Sequence, residues 1–260
     1  MLYITVNSVQ RAWTQRYSAL MTLRDTFLYV FLAWLASGIL AAEAQSKPAR
    51  IGWGPSHTGH CGECRMAGHN MAGWNLSGAD YSGADLTASN LRAIKGLNIN
   101  LEGVSAIGVD LRLANLAEAS LKTGDFTKAN LKAINLTGAR MHEIILIGAD
   151  LTESRLTGAI LSGADMRSVN ALKADFSGAV LTGVKLQSAR LTRARFSNAV
   201  LTNADLSAAE IEHANFQDAR LDGILLQGSL GWQTAEWEGA CISLSSRLPM
   251  GLKLPLCTLN

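Results

Sequence analysis

One bulky apolar residue returns every five positions from Met66 to Leu226, and that regularity excludes most of the folds open to a chain of 260 residues. An α-helix repeats at 3.6 residues and a strand at two, so neither alone produces a period of five. The register holds through 33 consecutive positions without an insertion, and 30 of them are Leu, Met, Phe, Ile or Tyr, the exceptions being Gly96, Ala106 and Ala171. The stretch "NLSGADYSGADLTASNL", Asn75 to Leu91, shows the rest of the unit. A small residue, mostly Ala (Ala79, Ala84, Ala114, Ala119, Ala199, Ala204), stands two places before the bulky one, and Asp or Asn often lies between them. Ser or Thr and then Gly tend to follow. A short fixed period with one large and one small apolar slot describes a solenoid, whose units bury their side chains only by stacking on one another. With 6% aromatics and 24 Gly, the composition suits many short corners better than an aromatic core.

The unit A(D/N)LXX resembles the pentapeptide-repeat family, and the resemblance runs from Met66 to about position 229. It implies an all-β fold, a right-handed quadrilateral β-helix in which four units form one coil, with the central Leu and the preceding Ala inward. At a strand spacing of about 4.8 Å, roughly eight coils would make a rod on the order of 40 Å long. Residues 20 apart should then lie above one another, and Phe176, Phe196 and Phe216 should stack inside the rod. Close packing demands that small central residues be compensated nearby. Gly96 and Ala106 fall where the small slots enlarge to Ile94, Ile99, Val104 and Val109, Ala171 follows Val169, and Ala106 lies one coil below Phe126. Outward columns follow the same arithmetic. Asn90, Asp110, Asn130, Asp150, Asn170, Arg190 and Glu210 form one; Arg155, Asp175 and Arg195 a second; Asp165, Lys185 and Asp205 a third, with opposite charges expected to pair along each.

The N-terminus reads differently. Phe27 to Leu40 is a short, uncharged apolar run, preceded by Arg11, Arg16 and Arg24 and followed by Ala42-Glu43-Ala44. That order describes a secretory signal peptide, with cleavage expected after Ala44; the run is short for a membrane span, and an uncleaved anchor is the alternative. Met21 is a second candidate start. No Arg-Arg pair and no Cys after the apolar run point to twin-arginine export or a lipid anchor. The expected organisation is a signal peptide over 1–44, a Cys/His lead over 45–65, the β-helix over 66–229 and a C-terminal cap over 230–260. Export to the periplasm or the extracellular space follows from it.

The chemically richest stretch is "HTGHCGECRMAGH", which offers His57, His60, Cys61, Cys64 and His69. Thiolates and imidazoles could hold zinc, and the Cys-x-x-Cys could be a redox pair. Against both, the five-residue frame places Cys61 in the central slot and Cys64 in the small slot, both expected to point inward, and exported members of the family often open with a C-x-x-C. A structural disulfide or packed cap is the preferred reading. After Leu226 the frame fades at Gly231, and Trp232, Trp237, Leu248, Leu252, Leu254 and Leu256 are available to cover the last coil, whose bare strand edges would otherwise invite association. Cys241 and Cys257 are candidates for a second disulfide. "LPMG", Leu248 to Gly251, resembles a closing turn of exported members with Met250 in place of the usual Asp.

The resemblance also raises mimicry of DNA, the role of family members that protect gyrase. Mimicry needs a strongly negative rod, yet Met66 to Leu226 holds 16 Asp and Glu against 15 Lys and Arg. The basic cluster Lys185, Arg190, Arg193 and Arg195 reads as a paired, solvated face. His142 and His213 sit on outward positions without a nucleophile at a telling spacing, and the recurring Asp and Gly belong to the repeat, so neither an enzyme nor a cofactor is expected. The expectation is a structural or interaction rod with an unidentified protein partner. No nucleic acid and no membrane after signal cleavage are expected, and the rod is either a monomer or a dimer through its cap.

Overall fold

The structure, a computed structural model, describes residues 59–257, within a compact unit Gly52–Asn260. The expected signal peptide and His57 lie outside the described residues. From His60 paired with Asp80 to Glu210 paired with Leu230, each fifth residue forms a parallel bridge to the residue 20 positions on. One coil is therefore four pentapeptides, with four bridge columns and a corner between each. Among the described residues only two strands exceed a single bridge residue, β1 (Arg220–Leu221) and its parallel partner β2 (Cys241–Ile242).

Backbone accounting explains why the unit has this sequence. In the unit Asp80–Ala84, Asp80 N donates down the ladder to Gly59 O (3.3 Å), while Tyr81 N and Gly83 N donate up it to Asn100 O and Glu102 O (2.8 Å each). Ala84 N closes the corner on Tyr81 O at 3.1 Å. Only Ser82 N is left, and Asp80 Oδ1 accepts it at 3.0 Å. The outward Asp or Asn thus satisfies the one N–H per unit that the ladder cannot reach, as at Asp85, Asn100, Asp125, Asp175 and Asp205. Each such bond contributes on the order of 1 kcal/mol.

Every corner has a residue with positive φ in its third position, from Glu63 to Gly228. This is the geometry of a turn whose third residue is left-handed, where glycine is at ease. Twenty of these positions nevertheless hold other residues, among them Leu113 (φ 60°) and Thr123 (φ 55°). Their left-handed backbone costs roughly 1–2 kcal/mol each, and they are held there by ladder bonds on both sides of the corner.

Central residues such as Leu156, Phe176 and Leu201 are fully buried. Phe176, Phe196 and Phe216 stack at centroid distances of 5.0 Å, and Trp237 of the C-terminal segment continues the column 4.5 Å from Phe216. The volume exchange is equally direct. A Cβ on Gly96 would meet Leu116 Cδ2 at 2.6 Å and Ile99 Cγ2 at 3.2 Å, so the neighbours already fill that slot. Gly124 makes the same allowance for Phe126, whose Cε2 would stand 2.8 Å from an added Cβ.

The regular coil ends where single residues are inserted. Asn215 pairs with Glu236 and Leu225 with Arg247, separations of 21 and 22 instead of 20. Trp232, Trp237, Leu248, Leu252 and Leu254 are half-buried over this end. Leu256, expected in the plug, is instead 55% exposed, because its backbone pairs with Ile242 and turns the side chain away. Pro249 to Leu252 does form a turn, closed by Leu252 N on Pro249 O at 3.2 Å with Gly251 at φ 97°, and Met250 stands out into solvent.

Leu156→Asp is expected to cost several kcal/mol by burying an unpaired carboxylate, whereas Thr157→Asp should leave the melting temperature nearly unchanged. Equal melting temperatures would contradict the inward and outward assignment. Leu113→Gly should raise stability by about 0.5–1 kcal/mol by relieving a left-handed non-glycine residue. Gly158→Leu, whose added Cβ meets nothing within 4 Å, should lower it for the same backbone reason; thermal denaturation of the pair checks both signs.

Candidate binding surface

At the N-terminal end, Cys61 and Cys64 form a disulfide across the first corner, which Cys64 N closes on Cys61 O at 3.2 Å. Cys61 points inward as expected, against Met66 Sδ at 3.6 Å. Cys64 is only half-buried, because its side chain spans the turn to its partner instead of descending into the core. His60 is exposed and places Nδ1 2.8 Å from Asp80 Oδ2, while His69 is exposed with its Nδ1 3.3 Å from Ala67 O. The structure thus ties the two thiols to each other and turns the two described imidazoles to solvent. At the other end Cys241 and Cys257 form the second disulfide, beside the ladder bond from Cys257 N to Ile242 O at 2.8 Å.

The outward columns are as the coil arithmetic places them, but their charges pair differently. Arg190 reaches Glu210 at 3.4 Å and Lys185 reaches Asp165 at 4.0 Å, as expected. Asp205, however, accepts Gln187 Nε2 at 2.7 Å, with no Lys185 ion pair. Asp175 accepts from both Ser177 N (3.0 Å) and Ser177 Oγ (2.5 Å), with neither Arg155 nor Arg195 within ion-pair distance. Several carboxylates are instead taken by an arginine two positions away, as in Asp110–Arg112 (2.6 Å) and Asp165–Arg167 (2.8 Å). A long side chain on the adjoining corner reaches the carboxylate as readily as one from the next coil.

These contacts set the acid behaviour of the rod. The Arg112 guanidinium, bonding to Asp110, and that of Arg167, bonding to Asp165, hold these carboxyls below their ordinary value of 3.8. The Thr87 hydroxyl and N–H do the same for Asp85, and the Ser120 hydroxyl followed by Lys122 lowers Glu102. A carboxyl whose folded pKa is depressed contributes stability that is complete above its unfolded value and lost as pH falls through the folded one. The melting temperature should therefore be flat above about pH 5 and fall below it, and Asp110→Asn should make that fall shallower. A melting series from pH 7 to pH 2 tests this.

A cleft of about 430 Å³ lies at one corner of the rod, with Ile134, Ser154, Arg155, Lys173, Asp175 and Arg195 among its walls. Sequence reasoning grouped Arg195 with Lys185, Arg190 and Arg193 by proximity in the chain. The coil stacks it in the column of Arg155 and Asp175, as the step of 20 places it, and adds Lys173 from the adjoining corner, which the column count did not include. His142 is half-buried with Nδ1 unpartnered, and His213 is exposed, on a different corner. Among the described residues no group of three or more His, Cys, Asp or Glu side chains is arranged to hold a metal ion.

A family model described as pentapeptide repeats matches residues 60–92, 98–132, 129–170, 159–198 and 189–228, in eight copies. No curated protein sequence matches the chain. Among solved structures it is similar to HetL, a pentapeptide repeat protein involved in heterocyst differentiation regulation in the cyanobacterium Nostoc sp. Strain PCC 7120, at 28% identity, 78% coverage of this chain, 95% of that one, and a TM-score of 0.44. It is also similar to QnrB1, a plasmid-mediated fluoroquinolone resistance protein, at 18% identity, covering 73% and 89% of the two chains, with a TM-score of 0.37. A pentapeptide repeat protein of the Arabidopsis thaliana thylakoid lumen is 32% identical over 40% of this chain and 63% of that one, with a TM-score of 0.12.

Proposed function

The chain belongs to the pentapeptide-repeat family, and from that premise we propose that it is an exported, non-catalytic, right-handed four-sided rod whose outer faces bind a protein partner or space other structures apart. The observation that carries the proposal is the state of the cysteines: Cys61 is bonded to Cys64 and Cys241 to Cys257, and none is free. Disulfides at both ends of a rod fit an oxidising compartment, and they agree with the basic, apolar and small-residue order of the N-terminal segment 1–44. The outer columns support an interaction role, since regularly spaced polar side chains are held in place by the ladder beneath them.

Two other roles fare worse on the same observations. A zinc site needs thiolates, and the bond between Cys61 and Cys64 consumes both; a redox pair would carry this same bond in its oxidised state and differs from a structural one in how readily it is reduced. A DNA mimic needs a surface of one sign, and the 16 acidic against 15 basic residues between Met66 and Leu226 do not supply it.

The test is the intact mass of the full-length gene product recovered from fractionated cells, before and after thiol alkylation. A chain beginning at Gln45, found outside the cytoplasm and taking up no alkylating agent until reduced, is the expected result. A cytosolic chain that keeps its apolar N-terminus and is alkylated at four cysteines would overturn the proposal.

A further inference from the structure

We propose that the cleft at the corner beside Ser154 is an oxyanion site, in which the guanidinium groups of Arg155 and Arg195 hold a phosphate or carboxylate. Its volume of about 430 Å³ is that of a small-molecule site. Arg155 and Arg195 stand two coils apart in one column with Asp175 between them. A closed Arg–Asp–Arg ladder would leave nothing to bind, but Asp175 Oδ1 is occupied by the Ser177 N–H and hydroxyl. Neither guanidinium has a carboxylate within 4.0 Å or any other hydrogen-bond partner among the described residues. Lys173 is tied to Glu153 at 3.5 Å. Three cations against two carboxylates leave the cleft one positive charge in excess.

A second observation comes from the cleft floor. Ser replaces the usual small apolar residue at Ser89, Ser154 and Ser229, and two of these hydroxyls donate inside the ladder, Ser89 Oγ to Met66 O at 2.6 Å and Ser229 Oγ to Leu226 O at 2.8 Å. Ser154 is 2% exposed and its Oγ has no partner. This buried hydroxyl with unused bonding capacity belongs to a residue that lines the cleft with Arg155 and Arg195. Guanidinium groups bind carboxylate and phosphate through paired N–H bonds.

The anion has two possible sources, a free small oxyanion or an acidic side chain on a docked partner. The second rests on the interaction role proposed above, and the first stands without it. Inorganic phosphate and a short glutamate-rich peptide, each titrated calorimetrically into the full disulfide-bonded rod, distinguish them. Saturable binding of phosphate identifies a free-anion site, and binding of the peptide alone identifies a partner's carboxylate. In either case the double variant Arg155→Ala, Arg195→Ala should bind at least tenfold more weakly while melting with the parent, since both side chains are exposed. Lys185→Ala, on another side of the rod, should bind as the parent does. Absence of saturable binding to either probe, or affinity unchanged in the double variant, would overturn the site.

Discussion

The rod depends on a backbone ladder that returns to itself after every fourth pentapeptide. Each pentapeptide sends two N–H groups to the coil above, one to the coil below and one to its own corner, which leaves one for a side chain. The recurring Asp or Asn is the local answer to that remainder, and the central Leu and small Ala are the answer to the space the ladder encloses. Neither would be required if the chain closed its coil at another length, so the geometry of the ladder precedes the composition of the repeat. The corners bear the cost, since residues such as Leu113 and Thr123 must adopt a backbone that only glycine takes easily.

Packing inside the ladder preserves volume but not identity. Where Gly96 withdraws, Leu116 and Ile99 advance, and where Phe126 intrudes, Gly124 gives way. The aromatic column of Phe176, Phe196 and Phe216 ends on Trp237, which belongs to the segment that has already lost the regular coil spacing. The terminal segment is therefore anchored by core stacking even though its backbone register has slipped.

Much of this was legible in the sequence, because a period of five counted in multiples of four units is an arithmetic property of the chain. The stacked Phe column, the compensation around Gly96 and the columns of outward residues all follow from counting. What escaped were features set by side-chain reach. Cys64 occupies a slot that from Ala79 onward holds a buried residue, mostly Ala, yet its bond to Cys61 keeps it at the turn. Asp175 was expected to serve two arginines and serves Ser177 instead, and this left Arg155 and Arg195 over the cleft. Leu256 looked like plug material until its backbone paired with Ile242. The glycines also concealed how many non-glycine residues share their backbone conformation.

The core and the surface of this rod answer to different clocks. A stacked interior asks first that a large residue arrive every fifth position and tolerates exchange of volume between neighbours, whereas the outer columns are defined by the bridge between residues 20 apart. Insertion of one pentapeptide would thus leave the interior filled and the ladder closed, but every side chain beyond it would advance by a quarter turn. Patches on opposite sides of such a junction would be reassigned to new faces without any residue being replaced. The spacing of one complete coil is what preserves an address on the surface, so duplications of four pentapeptides lengthen the rod and shorter ones re-dial it.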